Sequence, residues 1–352
     1  VLPERNLDVL RALAVLCVFS DHLTGAIDLW SEYTRWVGQA GVLAFFVHTS
    51  LVLMASLERD GAPARPHWVR RFYVRRAFRI YPLAWVVIAV VLALHVPRGS
   101  LETHWEPVSW YRALVNFALV QNLTTQPTVL APLWTLPLEL QMYAVLPACY
   151  LVARRPALLP MLALLVAGIG GAVFFIFGDN VLHLTQLFRF TLLLFVPCFL
   201  MGVWAFWRLR AAPVPRLPWW SWLPLLLALI ALAAVPYVHG PRWLVRILFC
   251  GAIGMLIPMV REAPDGAFTR GAHQVAVYSY GIYLIHLLAI RVGFGVLAGR
   301  PAPLQWLAMT VTLVASVVAA YHLVEKPGIA LGQRLAAGRR GPAPLEGTAP
   351  AP

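Results

Sequence analysis

The sequence predicts an all-α, polytopic membrane bundle of about ten transmembrane helices with both termini cytoplasmic. Three observations lead there. The 352 residues are 60% hydrophobic and only 12% charged, about half the charged share of an ordinary soluble domain. That excess of apolar surface cannot all be hidden in one water-soluble core. The apolar residues are gathered into runs of spanning length, and the basic residues fall mostly in alternate links between those runs. The 14 Trp and 11 Tyr suit a protein with aromatic belts at the two membrane surfaces.

The runs lie near 7–28, 38–57, 80–96, 132–153, 157–177, 189–207, 218–237, 243–260, 275–297 and 304–324. The first is of full spanning length, lacks a small-x-small cleavage site and carries Asp21-His22, so a true span is expected rather than a cleaved leader. The link 97–131 is the longest, and its stretch from Trp110 to Gln121 is expected to form an interfacial helix or re-entrant piece. Cys17, Cys149, Cys198 and Cys250 each sit in an apolar run without a CxxC pattern, and read as small buried hydrophobes with no disulfide or metal site. No internal repeat and no second soluble domain is visible. Residues 1–335 therefore read as one transmembrane domain. Residues 336–352, rich in Ala, Gly and Pro, read as a disordered tail.

Orientation follows from the basic residues. With the N-terminus in the cytoplasm, nineteen of the 28 Lys and Arg residues fall on the inner side and eight on the outer, with Arg11 inside a span. This bias favours both ends inside. It also accounts for the formal net charge of +13 without nucleic acid, because the positive residues form no single basic face.

Within this frame, ionisable residues inside the spans mark function, since a charge at a helix centre costs at least ~2.5 kcal/mol in lipid. Arg11 and His22 are eleven residues apart, almost three whole turns. Both therefore project from one face, roughly 16 Å apart along the axis. Arg11 lies near the inner surface and His22 in the outer half. His22 either snorkels to the headgroups or acts as a general base, since an imidazole can take a proton from a hydroxyl near neutral pH. Asp21 points about 100° away from it and is a poor orienting partner.

The inner stretch His67 to Pro82 holds Arg70, Arg71, Arg75, Arg76 and Arg79. Arg76 and Arg79 share a helical face at i, i+3, and Arg75 and Arg79 at i, i+4. Topology alone explains part of this charge. The density beyond it suits a polyanionic cytosolic ligand or acidic lipid headgroups. In Trp134-Thr135-Leu136-Pro137-Leu138-Glu139, Glu139 enters from the outer side by about two turns, near the inferred depth of His22. A buried carboxylate there needs a partner, either His22, a substrate hydroxyl or a helix–helix hydrogen bond. Tyr280, Tyr283 and His286 recur every three residues and form a polar stripe that serves packing or chemistry. His48, and Glu325-Lys326-Pro327 after the tenth run, are further polar intrusions. Glu325 is expected to pair with a basic neighbour.

Taken together, these stretches resemble the membrane-bound acyltransferase 3 family. The matching pieces are Leu7-Asp8-x-Leu10-Arg11 with His22, Gly41-Val42-Leu43-Ala44-Phe45-Phe46-Val47, and Arg75-Arg76-x-x-Arg79-Ile80-x-Pro82. They continue with Trp134-Thr135-Leu136-Pro137-Leu138-Glu139-x-Gln141-x-Tyr143, Ser279-Tyr280-x-x-Tyr283-Leu284-x-His286 and Glu325-Lys326-Pro327. Their order and spacing span almost the whole chain. The resemblance implies a ten-span helical domain in the bacterial cytoplasmic (inner) membrane. It implies transfer of an acyl group, acetyl by default, from cytosolic acyl-coenzyme A to a hydroxyl of an extracytoplasmic glycan, glycolipid or lipid-linked sugar. Acyl-coenzyme A is a co-substrate, and no permanently bound cofactor or metal is implied. His22 is then the catalytic residue, with Arg11, Arg75, Arg76 and Arg79 serving the donor. The chain departs from the family pattern at His48-Thr49-Ser50, where an apolar residue followed by Ser-Gly is usual. No additional esterase-like domain of the kind some members carry is expected.

The mechanism expected from this reading has the donor threading past Arg11 toward His22, with Glu139 steadying the imidazole as carboxylates do in hydrolase triads. Trp134, Tyr280, Tyr283, His286 and His48 are the candidates for contact with substrate. The rival class is a transporter or flippase that uses the same buried His, Arg and Glu as relay sites. Against it, the halves of the chain show no paired symmetry and no matched broken helices, although Pro137 is expected to interrupt a span. A third reading is a non-catalytic membrane scaffold.

Overall fold

The computed structural model describes residues 2–99, 102, 104–155, 157–180, 191–211 and 216–337. Arg189, Arg339, Arg340 and the tail from residue 338 onward lie outside the described residues. Among the described residues, ten helices are long and apolar enough to cross a membrane, in agreement with the ten apolar runs, and the protein is a multi-pass membrane protein. The helices are α1 (Glu4–Ala26), α2 (Glu32–Arg59), α3 (Trp68–Ala93), α4 (Trp110–Phe117), α5 (Thr135–Ala153), α6 (Leu158–Asn180), α7 (Leu192–Ala211), α8 (Trp222–His239), α9 (Arg242–Leu256), α10 (Ala267–Ile290), α11 (Ala302–Ala320) and α12 (Lys326–Ala337).

Successive spans alternate in direction. Glu4, Arg59, Glu58 and Arg210 meet at one end of the bundle, through Arg59–Glu4 at 3.4 Å and Arg210–Glu58 at 3.0 Å. Arg242 and Glu32 meet at the other, 2.7 Å apart. We call these the near end and the far end. The α2 helix starts at a reciprocal cap, in which Ser31 Oγ accepts from the Thr34 amide and the Ser31 amide donates to Thr34 Oγ1. It then runs through the middle of the bundle between α1 and α7. Both contacts are made through glycines. A Cβ on Gly41 would meet the Ala14 carbonyl oxygen of α1, and one on Gly202 of α7 would meet the Val47 carbonyl oxygen and Ser50 Oγ of α2. Small residues let helix backbones approach this closely where lipid offers no hydrophobic drive to associate.

Three element boundaries differ from the sequence expectation, each for a local reason. The third span begins at Trp68 rather than near residue 80. The arginine-rich stretch is therefore the near-end half of a helix and not a loop. Pro137 does not interrupt a span, because it stands in the first turn of α5, where backbone amides have no intrahelical partner to lose. The last span does not stop at residue 324. A π-helical segment, Tyr321–Glu325, joins α11 to α12 and carries the helix on to Ala337. The long link contains the short helix α4, capped by Ser109 Oγ on the Arg112 amide. That link is tied down where Arg112 donates to the carbonyls of Pro127 and Thr128.

The α12 helix folds against the near-end half of α3, with Gly328 at the Phe78 carbonyl and Gly332 at the Phe78 side chain. The α10 helix packs along α1, running in the same direction. All four cysteines are free thiols and buried.

Gly202→Ala should lower the thermal stability of the detergent-solubilised protein by about 1–3 kcal/mol, the range for overpacking a filled site. Its new methyl meets main-chain atoms that cannot move aside cheaply. Gly251→Ala, whose added methyl meets nothing within 4 Å, serves as the control and should leave the melting midpoint in place. Equal effects would show that the α2–α7 contact is looser than described.

A polar cavity inside the bundle

Polar side chains from α1, α2, α3, α5 and α10 converge on one cavity of about 790 Å³ that includes its mouth. Most of that space belongs to the open mouth, and the room inside for water-sized groups is about 110 Å³. Arg11, His48, Arg76, Arg79, Glu139, Tyr280 and Tyr283, all singled out in the sequence, line it. Phe45, Phe46, Val52 and Leu53 supply much of the apolar wall.

The cationic side begins on α3. Arg79 is paired with Glu325 at 2.5 Å, and the glutamate side chain is fully enclosed. The pairing expected for Glu325 is therefore present, with Arg79 as its partner. The π-helical segment carries Glu325 into the bundle one step before α12 begins. The Arg79 guanidinium also lies over the Tyr280 ring, 5.3 Å from its centroid, and Tyr280 donates its hydroxyl to the Ile80 carbonyl at 2.7 Å. Arg76 lies 6.0 Å from the Phe72 ring centroid. Its Nε is buried without a hydrogen-bond partner, and it has no ion pair among the described residues. Arg11 donates from Nε to Ser279 Oγ at 2.6 Å, and the Ser279 hydroxyl donates in turn to the Ala276 carbonyl. Arg75 departs from the expectation that grouped it with the donor arginines. It makes a two-pronged ion pair with Asp60 at the near end of α2 and does not line the cavity. Its position on the helix explains this, since one residue of rotation separates it from Arg76 by about 100°.

Glu139 also differs from expectation. Its Oε2 accepts from the Tyr143 hydroxyl at 3.1 Å, and no hydrogen bond joins it to His22 among the described residues. Depth accounts for this. Glu139 is eight residues from Ala131, where its span begins, and His22 is four from the end of α1. With about 1.5 Å per residue, Glu139 lies about 6 Å deeper from the far end. Tyr143 was within reach of sequence reasoning, because it stands at i+4 from Glu139 on one helix face.

The face of α1 that carries Arg11 and His22 packs on α10 at two levels. Arg11 meets Ser279, and one level further His22 meets His286, with ring centroids 5.0 Å apart and planes tilted by 39°. His286 is fully buried, whereas His22 is half-buried. Neither lines the cavity. The contact series from cavity to His22 runs through Tyr283, whose ring centroid is 6.4 Å from that of His286. The Tyr283 hydroxyl is hydrogen-bonded to Thr135 Oγ1 at 2.8 Å. Trp134 also lies off the cavity, with its ring 5.6 Å from that of Phe195 on α7. Asp21 turns to α2 and fills the space over Gly38, consistent with its poor aim at His22. The hydroxyls of Thr135 and Ser279 belong to the site by contact, although nothing in their own spacing singled them out.

Comparison with known proteins fits this arrangement. A family model described as an acyltransferase domain (acyltransferase 3) matches residues 4–323. The chain is 25% identical over 354 aligned residues to the peptidoglycan O-acetyltransferase OatA of Listeria monocytogenes, covering 92% of this chain and 55% of that protein. It is 27% identical over 360 aligned residues to the putative peptidoglycan O-acetyltransferase YrhL of Bacillus subtilis, covering 92% of this chain and 54% of that protein. The chain thus spans about half the length of these curated relatives. No solved structure gives a significant match.

Removing one member of the enclosed Arg79–Glu325 pair leaves an uncompensated buried charge. Glu325→Leu alone and Arg79→Leu alone should each destabilise the solubilised protein, by at most about 3–5 kcal/mol. Arg79→Leu combined with Glu325→Leu should recover most of that loss, because no charge then remains unpaired. Thermal unfolding of the two single variants and the double variant in one detergent checks this, and additive losses would refute the pairing.

Proposed function

The chain belongs to the acyltransferase 3 family, and from that premise we propose that it is an integral membrane O-acyltransferase. In this reading it takes an acyl group from cytosolic acyl-coenzyme A and delivers it to a hydroxyl of an extracytoplasmic glycan, with His22 as general base. The observation that carries the reading is the cavity that gathers Arg11, Arg76 and Arg79 inside the bundle, with Arg76 lacking a carboxylate partner among the described residues. A buried guanidinium without a counter-ion is costly, and an anionic ligand arriving in the cavity removes that cost. The nucleotide phosphates of acyl-coenzyme A have the right charge and suit guanidinium forks. The near end is then cytoplasmic, and the membrane is the bacterial cytoplasmic membrane.

In this scheme the donor enters at the near end, its phosphates held by Arg76 beside the Arg79–Glu325 pair. The pantetheine arm passes Arg11 along the apolar wall. For the thioester to meet His22, the hydroxyl pair of Thr135 and Tyr283 parts and the Tyr283 ring swings aside. The acceptor comes from the far end. His22 takes the proton of its hydroxyl, and the oxygen attacks the thioester carbonyl. The carbon–sulfur bond then breaks, and the leaving thiolate recovers the proton from the imidazolium. Glu139, held by Tyr143 within the cavity, is placed for a substrate contact and not for orienting His22. His48 offers a second imidazole in the cavity beside Arg11. The names of the two relatives support acetyl as the group moved and a peptidoglycan glycan as the acceptor class.

Incubation of the purified protein with labelled acetyl-coenzyme A and soluble peptidoglycan fragments tests the proposal. The intact protein should release free coenzyme A and label the glycan, and His22→Ala should abolish both while eluting as the same monodisperse species. Arg76→Ala should raise the donor KM by roughly tenfold, the loss expected for one charge-assisted contact. A change confined to the acceptor KM would reassign that arginine. Vesicle flux without thioester loss would instead identify a transporter.

A further inference from the structure

His286 has an unusual hydrogen-bonding state for an enclosed residue. Its Nδ1 lies 3.0 Å from the Ile282 carbonyl oxygen, one turn back on α10. A carbonyl only accepts, so Nδ1 carries the proton and Nε2 of the neutral ring is left as an acceptor. That Nε2 is buried and has no hydrogen-bond partner among the described residues. A buried acceptor left empty costs about 1–3 kcal/mol, and this one is held in place by a ring that is 0% exposed. Since Nδ1 faces the backbone of its own helix, Nε2 projects away from α10. On that side the ring meets α1, through Phe19 at 6.2 Å and His22 at 5.0 Å between centroids. His22 makes no side-chain hydrogen bond among the described residues. A donor-capable imidazole and an empty acceptor thus belong to neighbouring rings whose centroids are 5.0 Å apart.

We propose that His286 is the positioning residue of His22: its Nε2 accepts the N–H of the His22 ring, which leaves the other His22 nitrogen unprotonated and turned to the acceptor hydroxyl. The proposal rests on the reading of His22 as general base, and it assigns to a second histidine the orienting role that Glu139 does not fill. The Ile282 carbonyl fixes the His286 tautomer, His286 fixes that of His22, and the order of the two bonds determines which nitrogen meets the substrate. When His22 takes the acceptor proton, the bond to Nε2 becomes charge-assisted and strengthens at that moment. The added stabilisation therefore belongs to the proton-transfer step and not to substrate binding.

Two variants separate this role from packing. The amide oxygen of glutamine can take the place of Nε2 as an acceptor, whereas phenylalanine fills the space without one. In the labelled acetyl-coenzyme A assay with soluble peptidoglycan fragments, His286→Phe should lower kcat by on the order of 10²-fold with both KM values kept. His286→Gln should hold kcat to within about 10-fold of the parent. A rise in acceptor KM with kcat kept would overturn the proposal and make His286 a substrate contact, and equal loss of kcat in both variants would overturn it too. If His286→Phe does not elute as a monodisperse protein, His286→Gln decides alone, with retained kcat supporting the role and a 10²-fold loss refuting it. Activity retained by His22→Ala would instead remove the base assignment itself, which is a separate result.

Discussion

Glu325 and Arg79 form the contact on which the interior of this protein depends. The carboxylate is enclosed within the bundle, and its one cationic partner sits on α3 at the wall of the cavity. Hydrocarbon cannot stabilise either charge, so each fixes the other. The consequence reaches both elements. The π-helical segment that ends at Glu325 sets how α12 leaves α11, and α12 then lies along the arginine-bearing half of α3 through Gly328 and Gly332. With Arg79 paired to Glu325 and Arg75 to Asp60, Arg76 is the guanidinium of that group without an ion pair among the described residues.

The second organising feature is the parallel packing of α1 on α10. It places two polar contacts at two depths on one seam, Arg11 with Ser279 and His22 with His286. The aromatic and hydroxyl groups of Tyr283 and Thr135 lie between the cavity and the histidine pair.

Part of this was legible in the residues. The ten spans followed from runs of apolar residues long enough to cross a bilayer, and the presence of Arg11, His48, Glu139 and the Tyr280–Tyr283 stripe inside those runs marked the interior, since lipid tolerates such groups only where protein or water covers them. What failed was depth and pairing. Glu139 seemed level with His22 when both were counted from approximate span ends, and an error of one turn was enough to exchange Tyr143 for His22 as its neighbour. Arg75, Arg76 and Arg79 looked equivalent as a basic cluster, yet a rotation of one residue turned Arg75 to Asp60 and Arg76 to the cavity. Trp134 matched a motif and still packs on Phe195, because a matched spacing does not say which way a side chain faces.

The sequence by itself determined the membrane setting, the number of crossings and the family, because hydrophobic length, charge placement and ordered motifs are properties of the chain read one residue after another. Only the tertiary structure decided which buried cations lack an ion pair among the described residues, which histidine faces which, and that a carboxylate beyond the tenth apolar run pairs with an arginine of the cavity wall. Those facts depend on contacts between residues as far apart as Arg79 and Glu325, or His22 and His286. Helix rotation and depth set such contacts to within a fraction of a turn, and no local pattern of residue types encodes that fraction.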